Sequence, residues 1–175
     1  MRSSRLDAID LKLLGLLQAD ARMSQQDLAE AVGLSSPATG ERIRKLIERG
    51  IIRYFCAVLD PAMLGQDVAA FISVSIDGSE YFKVFVEKAK ATSEILECHA
   101  ITGAGSHMLK VRTTNTSSLE DLLARIQSWP GVSSTSTSVI LSVGKESPSV
   151  PLELVTTSAE DERGPEQMEA RRAHW

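Results

Sequence analysis

Cysteine is scarce in this 175-residue chain, and the two present, Cys56 and Cys98, are too far apart to form a metal motif or a disulfide framework. Both are expected to be buried free thiols. Histidine is nearly as rare. His99 and His107 read first as structural groups beside strands, and alternation puts His99 on the face opposite Cys98, so no zinc pattern emerges and no metal or cofactor is expected. No apolar run approaches the roughly 20 residues that a bilayer-spanning helix needs. The opening MRSSRLDAID also lacks the apolar core of a signal peptide, which makes the cytoplasm the expected address and a membrane partner unexpected.

Net positive charge is missing as well: the chain carries −4 overall, which argues against a nucleic-acid partner until the charge is counted by region. Residues 1–60 hold nine Lys or Arg against eight Asp or Glu, while residues 61–175 hold ten against fifteen. Arg42, Arg44, Lys45, Arg49 and Arg53 crowd into one short stretch, interrupted by Glu48. A solvated helix face would look the same. With so weak a field, affinity per protomer is expected to be modest, so useful binding calls for a symmetric assembly on repeated half-sites.

What is present is most informative at residues 24–49. Ser24 followed by Asp27 is a capping-box pattern, Leu28, Ala31 and Val32 share a helical face, and Gly33 stands where a positive φ ends a helix. Ser36 reads as the next N-cap with Pro37 at the first helical position. Ile43, Leu46 and Ile47 make the buried stripe of this second helix. That leaves Ser35, Ser36, Thr39, Gly40, Arg42, Arg44 and Lys45 as candidate DNA-binding residues, with Arg42 near the boundary. Gly40 costs about 1 kcal/mol of helix propensity relative to alanine, explained either by close approach to DNA or by simple tolerance. An earlier helix, Asp7 to about Gln18, places Ile9, Leu13, Leu16 and Leu17 on a core stripe. After Gly50, the β-rich IIRYFCAVL reads as a strand leaving a helix-turn-helix domain.

Beyond Asp60, Pro61 and Gly65 the pattern changes. Val68, Ala70, Ile72, Val74 and Ile76 alternate as a strand with one buried face. Phe82, Phe85, Val86 and Ala89 form a helical stripe, repeated 37 residues later by Leu119, Leu122, Leu123 and Ile126. Strand-like runs at 95–102, 107–113 and 132–143 complete the order βαββαβ of a ferredoxin-like fold. With both helices on one side, the other sheet face is bare unless self-association covers it. Small residues such as Ser134, Ser136 and Ser138 suit close packing there. The expected fold is therefore α+β, with domains at 1–59 (helix-turn-helix), 60–66 (linker), 67–145 (ferredoxin-like) and 146–175 (flexible tail). Within the tail, 166–175 has the length of a short helix anchored by Met168 and Trp175.

The segments LDAIDLKLLGLLQADARMSQQDLAEAVGLS, ERIRKLIERGII, ECHAITGAGSHMLKV and LARIQSWPGV together resemble the Lrp/AsnC, or feast/famine, family of regulators over about residues 5–145. That resemblance implies a winged-type helix-turn-helix followed by a ferredoxin-like ligand-binding (RAM) domain. It further implies a dimer, often an octamer or larger disc, that binds double-stranded DNA and responds to a small effector, commonly an amino acid. The effector cleft it implies lies between neighbouring dimers near Gly103, Ala104, Gly105, Ser106 and His107. Glycines there fit a turn whose N–H groups receive a carboxylate, and equally a tight turn that needs glycine for its backbone alone. Many members carry aspartates in this loop where this chain has Ala104 and Ser106, so a free ammonium has a weaker partner.

No enzyme activity is expected. Siroheme decarboxylases resemble the same two-part layout, but they have no evident need for the capped cationic helix, and one of the three histidines here, His174, sits in the tail. An architectural DNA-binding protein without effector is the other alternative.

Overall fold

The computed structural model describes residues 6–103 and 105–154, which divide into two compact units. One comprises the chain up to Ala57 together with residues from Ser147 on; the other is Val58–Glu146. The short helix expected at 166–175 lies outside the described residues, as does Ala104.

In the first unit α1 spans Ala8–Ala19, α2 Gln25–Val32 and α3 Ser36–Glu48. The start of α1 is fixed by a reciprocal capping box: Asp10 N–H donates to Asp7 Oδ1 at 2.8 Å and Asp7 N–H to Asp10 Oδ2 at 3.3 Å. At α2, Asp27 N–H donates to Ser24 Oγ at 3.1 Å and that hydroxyl donates to Asp27 Oδ2 at 2.7 Å. Gly33, with φ 71°, ends α2 in the left-handed conformation. Leu13, Leu14, Leu28, Ala29 and Leu46 form the interior.

Several expectations change here. Ser35, not Ser36, caps α3, its Oγ accepting from Ala38 N–H at 3.4 Å, so Pro37 falls one residue deeper. Two adjacent serines left that choice open to the turn geometry. Ile47 is 45% exposed, and Thr39 takes its place on the buried side, one and two turns before Ile43 and Leu46. Residues 51–59 form no strand: they run without a β partner, and Tyr54, Phe55, Val58 and Leu59 are exposed. A strand needs a hydrogen-bonding neighbour, and no strand is assigned among the described residues of this unit. Cys56 consequently lies exposed instead of buried, while Cys98 is half-buried.

The second unit has the expected order: β1 Val68–Ile76, α4 Phe82–Lys90, β2 Ile95–Ala100, β3 His107–Thr113, α5 Thr116–Gln127, β4 Val132–Val139. Its antiparallel sheet runs β2-β3-β1-β4. Strand β4 stops earlier than the alternation extends because β1, its one neighbour among the described residues, begins at Val68; the last bond is Ile140 N–H to Ala69 O at 2.8 Å. Ile72 pairs with Leu109 and with Thr137, so one sheet face gathers Ala70, Ile72, Val74, Leu109 and Val111. Phe85 and Ala89 of α4 and Leu119, Leu122 and Ile126 of α5 join them in a single core, which places both helices on that face. The opposite face presents Phe71, Ser73, Met108 and Lys110, with Ser136 paired to Ser73 and Ser138 to Phe71. Phe71 is left 42% exposed.

Candidate DNA-reading helix and effector loop

Helix α3 turns one face outward: Pro37, Ala38, Glu41, Arg44, Lys45 and Glu48 are exposed at spacings of three and four. Arg44 and Lys45 are the cations on this face. Arg44 grips Glu41 with two bonds, Nε to Oε2 at 2.9 Å and Nη2 to Oε1 at 2.6 Å, and its Nη1 pairs with Glu48. Lys45 Nζ lies 3.5 Å from Glu41 Oε1. The Arg44 guanidinium holds the Glu41 carboxyl below its usual value, and Glu41 in turn raises that of Arg44. Such exposed pairs contribute little to stability, so phosphate oxygens can displace the carboxylates at small cost. Glu41 and Ala38 share this exposed face with Arg44 and Lys45.

The other candidates of this helix are placed differently. Ser35 is exposed at the cap, and Ser36 presents its carbonyl to Gln25 Nε2 at 2.6 Å. Gly40 faces Gln25: a Cβ at position 40 would overlap the Gln25 amide. That amide is the end of an exposed, flexible side chain, so a Cβ at position 40 is accommodated by a shift of Gln25 away from the Ser36 carbonyl. Thr39, at 0% exposure, is sealed inside and cannot reach a base; its Oγ1 is a buried polar atom with no hydrogen-bond partner among the described residues. Arg42 points back to α1, where Nη1 donates to Asp7 Oδ2 at 2.7 Å and to Asp10 Oδ1 at 2.8 Å. It ties the recognition helix to the first helix.

The loop between β2 and β3 is closed at its base by Ile101 N–H donating to Ser106 O at 3.0 Å and Ser106 N–H donating to Val74 O at 2.9 Å. Gly105, with φ 96°, runs so close to β1 that a Cβ would stand 2.5 Å from Ser73 Oγ and 3.1 Å from Val74 O. Its glycine is required by backbone geometry. Gly103, with φ 108°, has nothing within 4 Å of where a Cβ would sit, so the loop tip borders open space. Ser106 turns its hydroxyl inward to Val74 O at 3.2 Å. His107 does not belong to the loop surface: it is 2% exposed, with its ring 5.0 Å from Phe82 and 4.9 Å from Phe85. Nδ1 lies 3.2 Å from Ser106 Oγ, and burial pushes the imidazole below its usual value, favouring the neutral ring. His99 lies on the outer face, 2.9 Å from Glu97 Oε2. Among the described residues no group of three His, Cys, Asp or Glu side chains is placed to hold a metal ion, and no helix is long and apolar enough to cross a membrane.

Two family descriptions match the two units. Residues 6–53 match a winged helix-turn-helix DNA-binding domain and residues 69–150 match the Lrp/AsnC ligand binding domain. The chain is 37% identical over 147 residues to the HTH-type transcriptional regulator FL11 of Pyrococcus horikoshii, covering 84% of this chain and 97% of that protein. It is 40% identical over 151 residues to the proline dehydrogenase transcriptional activator of Rhizobium radiobacter, covering 83% and 95%. A transcriptional regulator of Neisseria meningitidis, solved in complex with L-methionine, superposes with a TM-score of 0.80 at 31% identity, covering 84% of this chain and 97% of that one.

Proposed function

The chain belongs to the Lrp/AsnC family of transcriptional regulators, and from that footing we propose that it binds specific upstream DNA through α3 and alters that binding, or its own assembly, when a small effector is present. The observation that carries the DNA reading is the outward pair Arg44 and Lys45 on a capped helix whose other flank is locked by Arg42 and Thr39. Positions 44 and 45 supply phosphate or base contacts, and Ser35 and Ser36 bring the helix N-terminus to the backbone.

The effector we infer is an amino acid, received at the loop tip around Gly103, Ala104 and Gly105. The L-methionine held by the Neisseria regulator supports this class of ligand. Backbone N–H groups at a glycine turn suit its carboxylate. Ser106 directs its hydroxyl into the fold, so the ammonium is held by groups outside this loop. The bare outer face of the sheet, with Phe71 exposed among serines, supports self-association of the second unit. The relatives named above are regulators, in line with a non-enzymatic role.

Two variants test the division of labour. Arg44→Ala is expected to weaken DNA binding while leaving the assembly size in light scattering unchanged. Gly103→Asp is expected to alter ligand response while leaving DNA binding without ligand intact. Loss of assembly in the first, or loss of ligand-free DNA binding in the second, contradicts the assignment.

A further inference from the structure

Past β4 the chain returns to α1. Gln18 Nε2 donates to the Val150 carbonyl at 3.1 Å, and Val150 N–H donates to Gln18 Oε1 at 2.6 Å. A primary amide that gives and receives in this way reproduces the exchange between paired strand residues. Two residues on, Leu152 lies against Gly15, where a Cβ would stand 3.7 Å from Leu152 Cδ1. Gly15 and Gln18 are three residues apart and share a flank of α1, while Asp10, Leu13 and Leu14 occupy its buried side.

This contact accounts for two oddities of the helix. AIDLKLLGLLQA carries leucine on more than one flank, the pattern of a helix covered on more than one side. It also contains a glycine in mid-helix, unfavourable for propensity but suited to seating a leucine from elsewhere.

Residues 147–151 are built to lie extended, ahead of a 3-10 turn at Leu152–Leu154. Pro148 and Pro151 fix φ, and each keeps the residue before it, Ser147 and Val150, out of the helical region. Ser149 N–H is taken up by Ser147 Oγ at 3.2 Å. Such a segment has few conformations to lose on docking. Its near end is fixed where Glu146 pairs with Lys110 of β3.

We propose that residues 147–154 form a strap on the Gly15–Gln18 flank of α1, holding the helix-turn-helix in its folded arrangement and making the DNA-binding unit depend on a segment that leaves the other unit at Glu146. Neither DNA nor effector enters the proposal, so it stands or falls separately from the regulatory reading.

The test is amide hydrogen exchange on the full chain, comparing the native protein with Gln18→Ala, Gln18→Glu and Leu152→Asp. Alanine is the better helix former, so Gln18→Ala leaves α1 intrinsically no less helical. Exchange across residues 11–19 is expected to quicken about tenfold in Gln18→Ala and Leu152→Asp, with α5 unchanged. Gln18→Glu still accepts from Val150 N–H but cannot donate to its carbonyl, and is expected to fall between. Unchanged exchange in α1, or equal quickening in α1 and α5, overturns the proposal.

Discussion

Arg42 donates to Asp10 at 2.8 Å, joining α3 to the carboxylate that completes the capping box of the first helix. Asp10 is itself buried, and it simultaneously accepts from the Asp7 backbone. The Asp10 N–H, and after it the Arg42 guanidinium, hold the Asp7 carboxyl below its usual value. Removing Arg42 strands a buried acid as well as two charge-assisted bonds. Arg42→Ala is therefore expected to destabilise the first unit by about 2 kcal/mol, measured by urea unfolding. Its effect on DNA should track that loss and vanish at low temperature with stabilising osmolyte. A DNA defect with unchanged stability would return Arg42 to the DNA surface.

Thr39 separates packing from recognition. Its hydroxyl is buried without a partner among the described residues, at a typical cost of about 1–3 kcal/mol, and valine fills nearly the same space. Thr39→Val should raise the unfolding midpoint, by the equivalent of about 1 kcal/mol, and leave DNA affinity as it was. Weakened binding by this variant would mean that the side chain reaches the groove.

Glu41 pairs with Arg44 and Lys45, the two side chains proposed to meet phosphate. Glu41→Gln is expected to tighten binding to DNA of any sequence, most at low salt. Arg44→Ala should lower the slope of log affinity against log salt by about one. Titrations at several salt concentrations give both quantities, and a tighter Arg44→Ala complex would reverse the assignment.

Several of these placements were legible in the sequence. Ser24, Asp27 and Gly33 bound α2 as their chemistry dictates, and strict alternation from Val68 to Ile76 located β1 and its buried face. Others were hidden for identifiable reasons. A threonine within a cationic helix reads as surface, and only its phase with Leu46 places it inside. His107 was drawn towards the glycine loop by adjacency, although its alternation with Leu109 and Val111 already assigned it to the core. The 147–154 strap has no periodicity, so its docking on α1 is visible only in three dimensions.

His107 gives the fold a pH dependence. Its folded value lies below the ordinary histidine value because burial disfavours the charged ring. The unfolded chain thus binds the proton more readily. The stability contributed by the neutral ring is complete above about pH 6.5 and declines as pH falls below it, levelling off only beneath the folded value. His107→Phe keeps an aromatic ring beside Phe82 and Phe85 and should flatten the stability profile of the second unit between pH 7 and pH 5, read by thermal unfolding. An unchanged slope would place the titration elsewhere.

The most direct test of a ligand-sensing regulator is fluorescence anisotropy of the full chain at fixed salt. DNA from upstream of its own gene is compared with a scrambled control, with and without each common amino acid, L-methionine and proline included. The account predicts preference for the upstream DNA and a shift in affinity or stoichiometry with at least one amino acid. Equal binding to both DNAs, unmoved by every amino acid, would contradict it and favour an architectural role.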